Sequence, residues 1–147
     1  MKGFRLLVAV GLAAALIACS VGKKSPSGFR LPEGNAERGK ALFVELKCND
    51  CHHVVGTDLA APAARATEPV MLGGEFAYHR TDGELVTAII NPSHRLVRGY
   101  PRELVEREGK SRMKDYSDTL TVRDLVDLVA FLQTTYTRAI PEPIYSR

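Results

Sequence analysis

Cysteines at positions 48 and 51 with a histidine at 52 constrain this chain more than any other feature of its sequence. Cys48-Asn49-Asp50-Cys51-His52 sets two thiols two residues apart and follows them at once with an imidazole. Such a cluster holds something or does redox chemistry, and the surrounding residues limit the choice. A tetrahedral zinc site needs two further ligands at comparable spacing, yet the third cysteine, Cys19, stands alone far upstream and no second pair exists. A thioredoxin-like pair belongs in a strand–helix–strand context, whereas a helical pattern leads into this motif. An inert surface pair remains as the reading without chemistry.

The 147 residues amount to one domain with appendages, and 45% hydrophobic with 25% charged residues describes a soluble globular chain. The domain reads as helices joined by loops. Asn35 can cap a helix over Asn35 to Lys47, with Glu37 in its first turn and Ala41, Leu42, Val44 and Leu46 apolar. Thr81-Asp82-Gly83 introduces Glu84 to Ile90, where Leu85/Ile89 and Val86/Ile90 pair at i, i+4, until Asn91-Pro92 stops the helix. Pro101 to Gly109 is expected to be a shorter helix with Leu104 and Val105 as its apolar contacts. Thr121-Val122-Arg123-Asp124 has the form of a capping box with Asp in place of Glu. Behind it Leu125, Leu128, Val129 and Leu132 make the stripe of an amphipathic helix running to about Thr135. Strand signals are weak, so the expected fold class is all-α.

For the cluster itself, Cys-x-x-Cys-His is the haem attachment pattern. Two sulfurs must reach two vinyl groups of one porphyrin while the neighbouring imidazole faces the iron. Covalent attachment also lets a small domain keep a large cofactor without enclosing it.

With these residues in view, the sequence resembles the class I c-type cytochromes over most of Asn35 to Thr137. The likeness rests on Gly39 and Phe43 in the helix before the motif, on the motif, on a methionine well downstream, and on the last helix, Leu125-Val126-Asp127-Leu128-Val129-Ala130-Phe131-Leu132. It implies cytochrome c-like helices wrapped around one covalently attached haem c, the first and last crossing almost at right angles. A small residue would sit at that crossing, at Gly39, with aromatics near Phe43 and Phe131. A glycine within a helix costs about 1 kcal/mol relative to alanine, and close approach of another backbone is a physical reason to keep one.

His52 is the proximal iron ligand in this reading. For the sixth position the resemblance implies Met113, because Ser111-Arg112-Met113-Lys114-Asp115-Tyr116 precedes the last helix, where family members carry the ligand. Family members often have proline after this methionine; Lys114 departs from that and weakens loop preorganisation. Met71, His79 and His94 are the alternatives, while His53 faces away from the side used by His52. A proline after the motif commonly packs near the proximal histidine, and the carbonyl of its segment orients the ring. Pro62 and Pro69 both qualify, the second because Pro69-Val70-Met71-Leu72-Gly73 resembles the family's P-x-L-x-G. The alanine-rich insertion Leu59 to Thr67 leaves the choice open. Arg95, Arg98 and Tyr100 are donor candidates for a haem propionate, or members of a solvated loop.

The N-terminal residues belong to targeting rather than to the fold. Lys2 and Arg5 form a positive start, and Leu6 to Ala18 is an apolar run of 13, too short for the roughly 20 residues a bilayer crossing needs. The run ends in Leu16-Ile17-Ala18-Cys19, which resembles a bacterial lipoprotein box with cleavage leaving Cys19 as a lipidated terminus; an ordinary signal peptide is the alternative. The expected organisation is therefore a signal peptide at 1–18, a lipid-anchored flexible linker at 19–34, the cytochrome domain at 35–137 and a tail at 138–147. Ser20 to Gly34 is rich in Gly, Ser, Pro and Lys and reaches roughly 20 Å as a random coil. The mature chain is then exported to the periplasmic side of a bacterial membrane. Ser20 after the cysteine resembles outer-membrane sorting in enteric lipoproteins, a rule that transfers poorly between bacteria.

Charge bears on the choice of partner, and no nucleic acid is expected. The chain carries +3, and without Lys2 and Arg5 the remaining 18 basic residues against 17 acidic ones leave +1, which gives no global argument for nucleic-acid binding. Locally, Arg95 to Lys114 holds seven cations against three acids, a net +4 that would attract an acidic redox partner. The function that the resemblance implies is a one-electron carrier with His/Met ligation, expected to work between respiratory or periplasmic redox proteins and not as an enzyme. Its rivals are a haem enzyme subunit or gas sensor with a labile Met113, and a thiol oxidoreductase using Cys48 and Cys51.

Overall fold

The computed structural model describes residues 29–60, 68–77 and 80–138. Cys19, the linker up to residue 28, Pro62, His79 and the tail from 139 onward lie outside the described residues.

Helix α1 is Ala36–Glu45, begun by Asn35, whose side-chain oxygen accepts the Arg38 N–H at 2.9 Å. Helix α2, Asp82–Ile90, and the long helix Val122–Gln133, here α4, both start with complete capping boxes. In the second of these Asp124 plays the part usually taken by Glu: the Thr121 hydroxyl accepts from its N–H at 3.1 Å and its carboxylate accepts the Thr121 N–H at 3.2 Å. The expectation for α4 overshoots at its end. After Gln133 the Thr134 and Thr135 hydroxyls turn back onto the Phe131 and Leu132 carbonyls, each at 2.7 Å, and the chain leaves the helix.

α1 and α4 form the principal helix–helix interface. α1 contributes Gly39 and Phe43, and α4 presents Val126, Leu128, Val129, Phe131 and Leu132. The Phe43 and Phe131 rings meet edge to face, 5.6 Å between centroids. Leu85, Val86 and Ile89 from α2 complete the core with Val54 and Tyr116. Gln133 ties α4 to the start of α2 by donating to the Arg80 carbonyl and the Asp82 carboxylate, both at 2.9 Å.

One charge sits inside this packing. Asp127, 1% exposed, accepts the Asn35 N–H at 2.7 Å and lies 2.8 Å from Arg38 Nε, while the same guanidinium reaches Asp124 at 2.9 Å. Burying a carboxylate is costly unless its partners are in place, and here both come from the first turn of α1. The acid therefore fastens the beginning of α1 to the middle of α4.

Two expectations are corrected. The stretch Pro101 to Gly109 is not one helix: α3 is a single turn, Arg102–Val105, followed by a hairpin of β4 (Glu106–Arg107) and β5 (Lys110–Ser111). Glu108 and Gly109, at φ 54° and 78°, make the two-residue left-handed turn that such hairpins favour. Nor are the described residues purely helical. β1 (His52–Val54) pairs in parallel with β2 (Val70–Leu72), and β3 (Gly74–Phe76) with β6 (Tyr136–Arg138). Each strand has only two or three residues, too few for an alternating pattern to stand out in the sequence. Gly73, at φ 78° between β2 and β3, lets the two strands serve different partners and passes against Thr135.

Candidate functional site

α1 delivers the motif. Leu46 caps its C-terminal end, Lys47 reverses the chain in the left-handed region at φ 59°, and Cys48–Asp50 forms a 3-10 turn closed by the Cys51 N–H to the Cys48 carbonyl, 3.2 Å. Cys48 and Cys51 are i and i+3 across this turn, the spacing at which side chains of a 3-10 turn line up. Both thiols are free, Cys48 half-buried and Cys51 exposed. Burial pushes the Cys48 thiol up to about 11, against a smaller opposing effect from a hydrogen bond with Tyr116.

His52 follows as the first residue of β1. Its register opposite Val70 brings Nδ1 to 3.3 Å from the Val70 carbonyl. The Val70 N–H in turn donates to the Cys51 carbonyl at 2.9 Å, so β2 is hooked onto the end of the motif. A ring that donates from Nδ1 keeps its lone pair on Nε2, the arrangement of a metal-binding imidazole. Burial lowers the His52 pKa below its ordinary value and the Val70 carbonyl opposes this, which favours the neutral ring. Phe43 lies beside it, 6.5 Å between ring centroids. Pro69, half-buried, immediately precedes the residue whose carbonyl faces His52.

The methionines and the remaining histidines differ in placement. Met113 is partly buried and packs against the core, and its N–H donates to Ser111 Oγ at 3.1 Å. Met71 is 48% exposed on β2, and its N–H donates to the Tyr100 hydroxyl at 2.9 Å. His53, half-buried, pairs in register with Met71, and His94 is exposed. Arg95 lies 3.7 Å from the Glu84 carboxylate and Arg98 is exposed.

Two residues enter that sequence reasoning did not single out. Val70 carries the carbonyl facing His52, and only the β1–β2 pairing reveals it. Tyr116, 8% exposed, donates its hydroxyl to the Leu46 carbonyl at 3.2 Å and so touches the segment leading into the motif. Its position three residues after Met113 was the available signal. Among the described residues no group of three or more His, Cys, Asp and Glu side chains comes together to hold a metal ion.

In comparison with known proteins, the family model described as cytochrome c matches residues 36–136. No curated protein and no solved structure matches the chain.

Proposed function

Because this chain belongs to the cytochrome c family, whose members bind haem and transfer electrons, we propose that it is a class I carrier of a single haem, held through Cys48 and Cys51 and moving one electron at a time. The observation that carries this reading is the pairing of two free thiols across one 3-10 turn with an adjacent imidazole whose Nδ1 faces the Val70 carbonyl. Those residues fit the group: the sulfurs supply two thioether attachments, and the Nε2 lone pair of His52 supplies one axial ligand. A haem held there would supply one-electron redox chemistry at its iron.

The protein's part is to fix and tune that iron. The Val70 carbonyl holds the His52 ring in one tautomer and orientation. Met113 is the second axial ligand in this account. Its partial burial against the core favours it over Met71, which is half exposed, and over the exposed His94. Thioether sulfur favours Fe(II), so His/Met ligation raises the potential relative to two histidines. Were His52 and Met113 both to hold the iron, this chain would itself supply its protein ligands, which favours a carrier over an enzyme or gas sensor. A thiol oxidoreductase is disfavoured by the match of residues 36–136 to the cytochrome c family.

Around this core we place a lipid anchor at Cys19, an exported location at the periplasmic side of a bacterial membrane, and redox proteins with acidic docking surfaces as partners. The His/Met assignment is tested by a reduced-minus-oxidised visible spectrum of the wild type and of Met113→Ala. The wild type is expected to be low-spin and six-coordinate, and the variant to bind carbon monoxide when reduced. An unchanged spectrum in Met113→Ala would move the ligand to another residue, Met71 and His94 first.

A further inference from the structure

The loop that carries Met113 is tied down on both sides, and the two ties lead to different places. Upstream, the Arg112 N–H donates to the Val105 carbonyl and the Arg112 guanidinium to the Glu103 carbonyl, both at 2.9 Å, while the Ser111 N–H donates to Ser93 Oγ at 3.1 Å. These bonds lead back to α3, the hairpin and the turn after α2. Downstream, Tyr116 puts its ring into the core and its hydroxyl on the carbonyl of Leu46, two residues before Cys48. Its own carbonyl accepts the N–H groups of Thr119 and Leu120 at 3.0 and 3.1 Å, which fixes its backbone from the other side.

We propose that Tyr116 is a positioning residue: its hydroxyl latches the Met113 loop to the segment that carries the attachment turn, and so holds the axial methionine on the same frame as Cys48 and His52. The inference rests on the ligand reading above and goes beyond it. Packing alone does not require the hydroxyl, since a phenylalanine ring would fill the same space. What the oxygen adds is a partly buried hydrogen bond between residues 70 positions apart, joining the two halves of the axial pair. Lys114, which follows the methionine, lacks the fixed backbone angle a proline would give, and its Nζ lies 4.9 Å from the Tyr116 ring centroid. Tyr116 thus supplies on the downstream side part of the order that a proline would have given the loop.

If the latch holds Met113 in place, removing it raises the fraction of molecules whose sixth position is open. An external ligand then binds more tightly in proportion to that fraction. Imidazole titration of the oxidised, haem-loaded protein reads this directly, with urea unfolding of the same samples alongside. Tyr116→Phe is expected to bind imidazole roughly fivefold more tightly than wild type, the change that the loss of one hydrogen bond gives. Thr87→Val serves as the comparison, because it removes a hydroxyl bond of 2.7 Å to the Gly83 carbonyl inside α2, away from the loop. It should change urea stability by a similar amount and leave imidazole affinity at the wild-type value. Equal affinities for Tyr116→Phe and wild type, or an equal shift in Thr87→Val, would overturn the latch. Met113→Ala separates the two levels of the account. A changed spectrum there with an unaltered Tyr116→Phe removes the latch and keeps the ligand, whereas an unchanged spectrum in Met113→Ala removes both.

Discussion

The backbone of Gly39 runs so close to Asp127 that a Cβ built on residue 39 would lie 1.9 Å from the Asp127 carbonyl oxygen and 2.8 Å from the Phe131 Cβ. The contact is helix backbone against helix backbone, so no side chain can move aside to relieve it. Gly39→Ala is a sharp test because propensity and packing have opposite signs. Alanine in a helix interior would gain about 1 kcal/mol over glycine. Forcing α1 and α4 apart costs more, and a net destabilisation of about 2 kcal/mol or greater is expected in urea unfolding of the haem-loaded protein. A neutral or stabilising change would mean that the two helices are not packed as described.

Acid sensitivity should trace in part to the start of α4. The Thr121 side chain, helped by the Thr121 N–H and by Arg38, holds the Asp124 carboxyl below its ordinary value. A carboxyl lowered on folding adds stability that is complete above its unfolded pKa of about 3.9 and fades as pH falls through the lower folded value. Asp124→Asn should therefore narrow its stability gap from the wild type as the pH drops from about 5 toward 2, followed by circular dichroism at each pH. A gap that stays constant over that range would detach Asp124 from the acid response.

How much of this was legible beforehand varies by element. The three main helices could be read because their caps are local: Asn35, Thr81 and Thr121 announce the first turns within four residues. The Cys48–His52 motif was equally plain, since it occupies five consecutive residues. The hairpin after α3 was hidden because Glu108 takes a left-handed turn conformation that its side chain does not advertise. Nothing local marks Asp127 as buried, and its burial follows only from the meeting of Asn35 and Arg38 with a residue about 90 positions away. The Val70 carbonyl was invisible for a related reason, as a backbone acceptor has no signature outside the strand register that supplies it.

The basic stretch before α4 has fewer free charges than its composition implies. Arg95, Arg102 and Arg107 have carboxylate neighbours in Glu84, Glu106 and Glu108, at 3.7, 2.5 and 3.9 Å. Among the described residues Arg98, Lys110, Arg112 and Lys114 have no such ion pair and remain to meet an acidic partner surface. Electron transfer to the physiological partner should slow as added salt shortens the Debye length, about 10 Å at 0.1 M. Lys110→Glu should lose more rate at low salt than Arg138→Glu. Salt-independent rates, or equal losses at both positions, would remove docking from this segment.

Anchoring is separable from the haem site in this account, because the proposed linker lies between them. Cys19→Ser is expected to move the protein from the membrane fraction to the soluble periplasmic fraction with no change in its visible spectrum. A wild type found soluble and free of lipid would make the N-terminal segment an ordinary signal peptide.

The central claim is that Cys48 and Cys51 bind haem covalently, and the most direct measurement is haem staining of the denatured polypeptide after electrophoresis, repeated on protein extracted with acidic organic solvent. The account predicts that colour stays with the wild-type chain through both treatments and is lost from the chain in Cys48→Ala/Cys51→Ala. Haem that leaves the wild type freely on extraction would contradict it.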